Sequence, residues 1–184
     1  MSPIKMILVF APWIAFLVIA QGSLFRLKLG LAIALGLCII LGVLRLHRGI
    51  ILWAGLIFFV ISSVLVVGFE NIFMINYMGV LTSGFLGLAA WIGILIGKPF
   101  TLDYAREQVR KEIWGNTDFI RSNVIVSSSW AFVFTLNTIL AYGKFRHILM
   151  SSFAYETISN SMLVIAVLFT SWYTKRARAK RAAQ

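Results

Sequence analysis

The sequence predicts an all-α fold, a polytopic transmembrane helix bundle with six spans and both termini in the cytoplasm. Three observations lead to this class. Hydrophobic residues make up 60% of the chain and charged residues only 12%, whereas a soluble domain carries about 25% charged residues. Long uncharged tracts alternate with short charged segments. Lysine and arginine gather in every second segment, as they do in the cytoplasmic loops of membrane proteins.

Each uncharged tract is long enough to form a membrane-spanning helix. A helix needs roughly 17 to 25 apolar residues to cross a hydrocarbon core about 30 Å thick. In lipid the backbone has to satisfy its own hydrogen bonds, which favours helices. The predicted spans cover residues 4–21, 28–45, 49–69, 72–97, 123–143 and 155–174. The first two reach span length only if flanking lysine and arginine side chains extend to the head groups.

The first span has an alternative interpretation as a cleaved signal peptide. Lys5, the apolar stretch after it and the small residue Ala20 resemble the parts of such a peptide. Pro12 and Trp13 interrupt the apolar region, which favours a retained span. Cleavage would leave five spans in the same orientation.

The basic residues predict the orientation of the bundle. The net charge of +11 would suggest nucleic acid as the partner of a soluble chain, but the excess of basic residues in cytoplasmic loops explains it here. With a cytoplasmic N-terminus, thirteen of the 17 lysines and arginines lie in inside segments. We therefore expect no nucleic-acid partner. The basic tail, residues 175–184, is expected to attract anionic lipid.

Residues with metal-binding or redox chemistry are few and far apart. Cys38 is the only cysteine, which excludes an intrachain disulfide. His47 and His147 are expected on opposite faces of the membrane. We therefore predict no metal site and no cofactor.

The longest charged segment, residues 98–121, is predicted to form a cytoplasmic linker helix between the fourth and fifth spans. Pro99 suits the first turn of a helix, and apolar residues follow it at helical spacing. Charged residues three or four positions apart can form ion pairs on the other face. The segment is expected to lie along the membrane surface with a tryptophan as its anchor. The candidate partner-contact residues are Asp103, Arg106, Glu107, Arg110 and Trp114.

A catalytic interpretation of this segment is weaker. Asp103, Tyr104 and Glu107 would then act on a lipid head group as acids, bases or metal ligands. Catalytic carboxylates usually need surroundings that separate their pKa values. Here basic residues at salt-bridge spacing compensate both carboxylates, so we predict that the protein is not an enzyme.

Two further groups of residues are candidates for packing or function. Gly79, Ser83 and Gly87 form a row of small residues on the fourth span, which favours close helix packing. We predict packing inside the bundle, with a homo-oligomer as the alternative. Glu70 ends the third span and Glu156 begins the sixth. Acidic residues near spans are functional candidates, here either as solvated residues at the outer lip or as an access site for a cation or proton.

Several short motifs follow one another along nearly the whole chain. They are Phe10-Ala11-Pro12, Lys98-Pro99, Trp114, Asn123, Trp130-Ala131-Phe132, Asn137 and Phe153. In this order they resemble the intracellular septation protein A family of bacterial inner-membrane-spanning proteins. The charged stretch from Asp103 to Glu112 and the long basic tail depart from the family pattern, and a sister family of uncharacterised membrane proteins is the alternative.

The resemblance implies a bacterial inner-membrane protein of septation and cell-envelope biogenesis, with no catalytic residues to carry over. We expect a non-catalytic interaction or scaffold component whose partners are membrane lipid and other inner-membrane cell-wall or division proteins. The alternative is a small-molecule or ion transporter or channel. Its polar path would be lined by Asn76, Asn137 and Asn160, all of which lie in predicted spans.

Overall fold

The computed structural model describes residues 3–44, 49–146, 148 and 150–182, and within these ranges the chain is helical and has no strand. The predicted all-α class is confirmed for them. In chain order the helices are α1 (Pro3–Ile19), α2 (Leu24–Val43), α3 (Ile50–Ser63), α4 (Ile72–Leu95), α5 (Phe100–Arg106), α6 (Thr117–Phe145) and α7 (Ser152–Ala182). A π-helical turn, Val64–Gly68, continues α3, and a 3-10 turn, Lys111–Ile113, lies between α5 and α6.

Within the ranges that the structure describes, five segments are long and apolar enough to cross a membrane, as expected of a multi-pass membrane protein. They are Leu24–Val43, Ile50–Gly68, Ile72–Leu95, Thr117–Phe145 and Ser152–Ala179. Helix α1 adds a shorter apolar stretch over Phe10–Ile19. The sixth span therefore stays a prediction, since it requires α1 to cross the membrane. The cytoplasmic position of both termini also stays a prediction.

Local sequence signals explain where helices begin. Ser23, Asn71 and Asn116 precede α2, α4 and α6, and each side chain accepts a hydrogen bond from the backbone N–H three residues later. Such caps satisfy N–H groups that have no partner within the helix. Helices α3 and α4 start within one residue of the predicted positions, whereas α2, α6 and α7 start three to six residues earlier.

Most helices pack against the next helix in the sequence, and α4 also packs against α6. The most extensive contact is between α4 and α6, and α1 packs on α2, α2 on α3 and α3 on α4. Helix α7 packs on α6 at the edge of the bundle. Aromatic rings fill the centre. Trp13 is 2% exposed and packs against Phe58 and Phe59.

The structure differs from the prediction of a single linker helix over residues 98–121. Helix α5 ends at Arg106, and α6 begins at Thr117. The difference arises because α5 is docked into the bundle through Phe100, Thr101 and other buried residues, and burial of these side chains overrides the local helical pattern. That the segment lies along the membrane surface stays a prediction.

The end of the chain also differs from the predicted boundaries. The sixth span was expected to end at residue 174, but α7 continues as one helix to Ala182 and includes most of the basic tail. His47, His147, the last residue of the second predicted span and the last two residues of the tail lie outside the described residues.

Candidate functional site

The first candidate site is a recess of about 330 Å³ at the end of the bundle where α5 docks. We call it the linker depression. Its lining residues are Gly49, Asp103, Tyr104, Arg106, Glu107 and Trp114. The structure thus gathers four of the five predicted partner-contact residues around one recess. The fifth, Arg110, is exposed beyond the lining residues.

Hydrogen bonds to α6 hold α5 in place. The Thr101 hydroxyl donates to the Asn123 carbonyl oxygen at 3.0 Å. The Ser127 hydroxyl oxygen lies 2.9 Å from Thr101 Oγ1 and accepts a hydrogen bond from the Thr101 backbone N–H at 3.3 Å. Thr101 and Ser127 are buried, where paired polar groups fix one register because unpaired ones are costly. The floor of the linker depression is therefore a fixed part of the bundle.

Trp114 folds the end of the linker back over α5. Its indole Nε1 donates to the Arg106 carbonyl oxygen at 3.1 Å, and the Arg106 guanidinium carbon lies 5.5 Å from the centre of the Trp114 ring. A cation over an aromatic face is attracted by about 0.5 to 1 kcal/mol at exposed sites. The Arg106 charge is thus directed at a ring of its own chain.

The carboxyl group of Asp103 has an unusual environment for a surface residue. Desolvation raises its pKa above the ordinary value, although the positive charges of Arg106 and Lys98 act in the opposite direction. Burial also raises the pKa of the Tyr104 hydroxyl. A raised folded-state pKa means that Asp103 stabilises the fold most below its unfolded-state pKa. This contribution is lost as the pH rises through the folded-state pKa.

The far end of α7 contacts the same face of the protein. Arg178 Nη2 donates to Gln108 Oε1 at 2.7 Å, which ties the last turns of α7 to the segment after α5. The linker and the end of α7 therefore lie at one end of the bundle. Both segments are rich in basic residues, as expected for segments on one side of a membrane.

The second candidate site, which we call the polar cavity, has a volume of about 910 Å³ and lies at the opposite end of the bundle. Residues of α1, α2, α4, α6 and α7 and of the α1–α2 turn surround it. Its polar and charged lining residues are Gln21, Ser23, Arg26, Thr82, Ser83, Asn137, Lys144, Glu156, Ser159 and Asn160. Apolar residues such as Phe16, Met78 and Leu140 complete the wall.

The polar cavity brings together two of the three asparagines predicted to line a path. Asn137 and Asn160 both line it, whereas Asn76 is exposed on α4 and is not a lining residue. Asn137 is only 5% exposed, and its side-chain oxygen Oδ1 has no hydrogen-bond partner among the described residues. Leaving a buried acceptor unpaired costs about 1 to 3 kcal/mol. This oxygen has less than 1 Å² of accessible surface, so it is enclosed by the protein and not open to the cavity.

The two acidic lip candidates are held by separate ion pairs. The Glu156 carboxylate lies 2.5 Å from Lys144 Nζ at the rim of the polar cavity. Glu70 lies 2.5 Å from Lys28 Nζ, which lowers the Glu70 pKa through a hydrogen bond and through its charge. Each carboxylate thus pairs with its own lysine and not with a cation site shared by the two. Only Glu156 belongs to the polar cavity.

The predicted row of small residues faces both helix α6 and the polar cavity. A Cβ added at Gly87 would lie 3.6 Å from Phe134 Cβ, and one added at Gly79 would lie 3.9 Å from Ala141 Cβ. Both glycines therefore face α6, as close packing within the bundle requires. Gly79 and Ser83 also line the polar cavity.

Sequence reasoning missed the residues that meet only through the fold. Thr101 and Ser127 fix α5, but nothing local predicts that they pair. Lys144 carries no signal of its own, although Glu156 lies across a short helical hairpin from it. Opposite charges on the two sides of such a hairpin were the signal that could have identified this rim.

No protein-family model, curated protein or solved structure matches this chain.

Proposed function

We propose that the protein is a multi-pass bacterial inner-membrane component of septation and cell-envelope biogenesis, acting through non-catalytic contacts with other inner-membrane cell-wall or division proteins. The observation that carries the proposal is the convergence of Asp103, Arg106, Glu107 and Trp114 around the linker depression. The resemblance of the motif order to the septation protein A family supports the biological process.

The proposal includes a topology of six spans with both termini in the cytoplasm. Helix α1 packs on α2 along the bundle, as a first span would. The excess of basic residues in the inside segments supports a cytoplasmic position for the linker depression and for the end of α7. The polar cavity then opens toward the outer side of the membrane.

The linker depression suits a partner segment that carries a lysine or arginine. Asp103 is exposed, but desolvation raises its pKa, so an added cation would stabilise its ionised form. Arg106 is stacked on Trp114, and Asp103 is exposed at the recess. The contact would therefore be charge-complementary, with Trp114 as an aromatic anchor.

Photo-crosslinking in cells tests this proposal. A photoreactive residue at Arg110, beside the depression, is expected to capture a cell-wall or division protein that mass spectrometry can identify. Asp103→Lys should reduce this capture several-fold, since an ion pair at an exposed site contributes up to about 1 kcal/mol and the reversed charge adds repulsion. The variant should still insert into the membrane.

The matched control is Asp118→Lys, which reverses an exposed acidic residue on α6 that does not line the depression. It should capture the partner as wild type does. Capture of lipid alone, or an equal loss in both variants, would reject the linker depression as the contact surface.

A small-molecule transporter or channel is the second candidate, favoured by the joint position of Asn137 and Asn160 in the polar cavity. On α4 and α6 the lining residues reach no deeper than Ser83 and Asn137. The cavity therefore ends inside the bundle, and a carrier fits it better than an open channel does.

Swelling of proteoliposomes in glycerol tests the transport candidate. The wild-type protein is expected to speed swelling over that of protein-free liposomes, and Asn137→Leu or Asn160→Leu should abolish the increase. Asn76→Leu serves as a control because Asn76 lies outside the cavity. Wild-type swelling at the protein-free rate would count against this path for small polyols.

A further inference from the structure

We propose that the mouth of the polar cavity binds a phosphate group, with Arg26 as its main ligand. The phosphate belongs either to a lipid head group or to a free phosphate ester. This inference goes beyond the proposed contact function and does not depend on it. The volume of about 910 Å³ lies within the range of about 300 to 1,000 Å³ typical of small-molecule sites.

Charge pairing leaves one unpaired arginine at the cavity. At this end of the bundle, the carboxylates of Glu70 and Glu156 each lie 2.5 Å from a lysine. Arg26 and Arg146 are exposed and have no ion-pair partner among the described residues. Only Arg26 lines the cavity. Because Lys144 and Glu156 neutralise each other at the rim, the lining keeps the positive charge of Arg26, which favours an anion as the ligand.

Three accessible side chains at the mouth can donate hydrogen bonds to an anion. Arg26 and Ser23 are exposed and line the cavity. The Ser23 hydroxyl oxygen accepts from the Arg26 backbone N–H at 3.2 Å, so its hydrogen is left to donate. The Lys144 side chain is 40% exposed and gives one of its three N–H groups to Glu156. A ligand with several acceptor oxygens can use all three groups.

The position of these donors favours phosphate over other anions. Arg26 lies in the first turn of α2, and Lys144 lies in the last turn of α6. The ends of membrane-spanning helices lie at the level of the head groups, where lipid phosphates are found. A guanidinium group matches two phosphate oxygens at once. Leu17 and Leu24, exposed in the lining, can cover the carbon atoms attached to the phosphate.

Labelling of the full chain with a photoreactive phosphatidylglycerol in a sugar-based detergent tests the proposal. The photoreactive group is placed beside the glycerol, and peptide mass spectrometry locates the adducts. We expect adducts on cavity-lining residues of the α1–α2 turn and of the first turns of α7. Diacylglycerol, which lacks the phosphate, should not compete. Competition by glycerol 3-phosphate would extend the site to free phosphate esters, and no competition would assign it to lipid.

Matched variants separate this site from general surface charge. Arg26→Gln should lower the labelling about fivefold, the effect of one exposed ion pair. Arg146→Gln removes the same charge outside the cavity and should label as wild type does. Glu156→Gln leaves Lys144 unpaired at the mouth and should label a few-fold more strongly, whereas Glu70→Gln breaks the other ion pair and should change nothing. Equal labelling of the Arg26 and Arg146 variants, or adducts only outside the cavity, would overturn the proposal.

Discussion

Replacing Trp130 with alanine is expected to loosen α7 from the bundle and to lower the free energy of unfolding by about 3 to 5 kcal/mol. Trp130 is 4% exposed where α1, α6 and α7 meet. Its ring stacks on Phe10 with 5.2 Å between centres, and its Nε1 donates to Thr170 Oγ1 at 2.9 Å. The substitution removes both contacts and leaves a cavity in the packed centre.

Thermal unfolding in detergent, followed by circular dichroism, measures this effect, and protease access to the α6–α7 connection reports the position of α7. Trp53→Ala is the matched control because Trp53 is 59% exposed on α3, and it should stay within about 0.5 kcal/mol of wild type. Trp130→Phe keeps a ring and loses the hydrogen bond, so it should cost about 1 kcal/mol from that bond. Equal Tm values for the alanine variants at Trp130 and Trp53 would refute this account of how α7 is attached.

The helices that cross the bundle could be predicted because their signals are local. An uncharged tract of span length has few stable forms in lipid other than a helix, and caps such as Asn71 fix the starting points. The end of α4 is equally local. Gly97 adopts a left-handed φ of +72°, and the Lys98 N–H donates to the Gly93 carbonyl oxygen at 2.7 Å, which closes a Schellman motif.

The docked position of α5 could not be predicted because its cause is not local. Residues 98–121 carry a helical pattern, and that pattern alone favours one long helix. Thr101 instead pairs with Ser127 and with the backbone of Asn123, more than twenty positions away in the sequence. This contact exists only where α6 packs beside α5, so the end of α5 depends on the packing of the two helices. Four of the residues that line the linker depression were still among the predicted contact candidates, since they lie close together in the sequence, whereas Gly49 comes from a distant segment and was not.

The polar cavity was only partly foreseen, because the sequence of a membrane helix says little about its rotation. Lipid and the bundle interior are both apolar, so the outward and inward faces differ little in hydrophobicity. Asn76 and Asn137 therefore look equivalent in the sequence. In the structure Asn76 is exposed, whereas Asn137 is buried and lines the cavity. Only the packing of α4 and α6 distinguishes them.

Changing Gly93 to valine is expected to displace α5 and to cost about 3 kcal/mol, the upper part of the usual range for overpacking. A Cβ at Gly93 would lie 2.9 Å from the Lys98 carbonyl oxygen, and this atom belongs to the backbone of the turn that leads into α5. The wall behind it is Ile50 of α3, with its side chain 3.7 Å from the same point. The Lys98 carbonyl can move away only if the turn moves with it, so the linker depression should lose its shape.

Crosslinking from Arg110, together with thermal unfolding, measures both consequences. Gly36→Val is the matched control because a Cβ at Gly36 on α2 meets nothing within 4 Å. Valine is also a slightly better helix former than glycine, so this variant should be as stable as wild type. The polar cavity involves the opposite half of α4, so Gly93→Val should leave the cavity intact while it loses partner capture. Undiminished capture from folded Gly93→Val protein would mean that the position of α5 does not shape the contact surface.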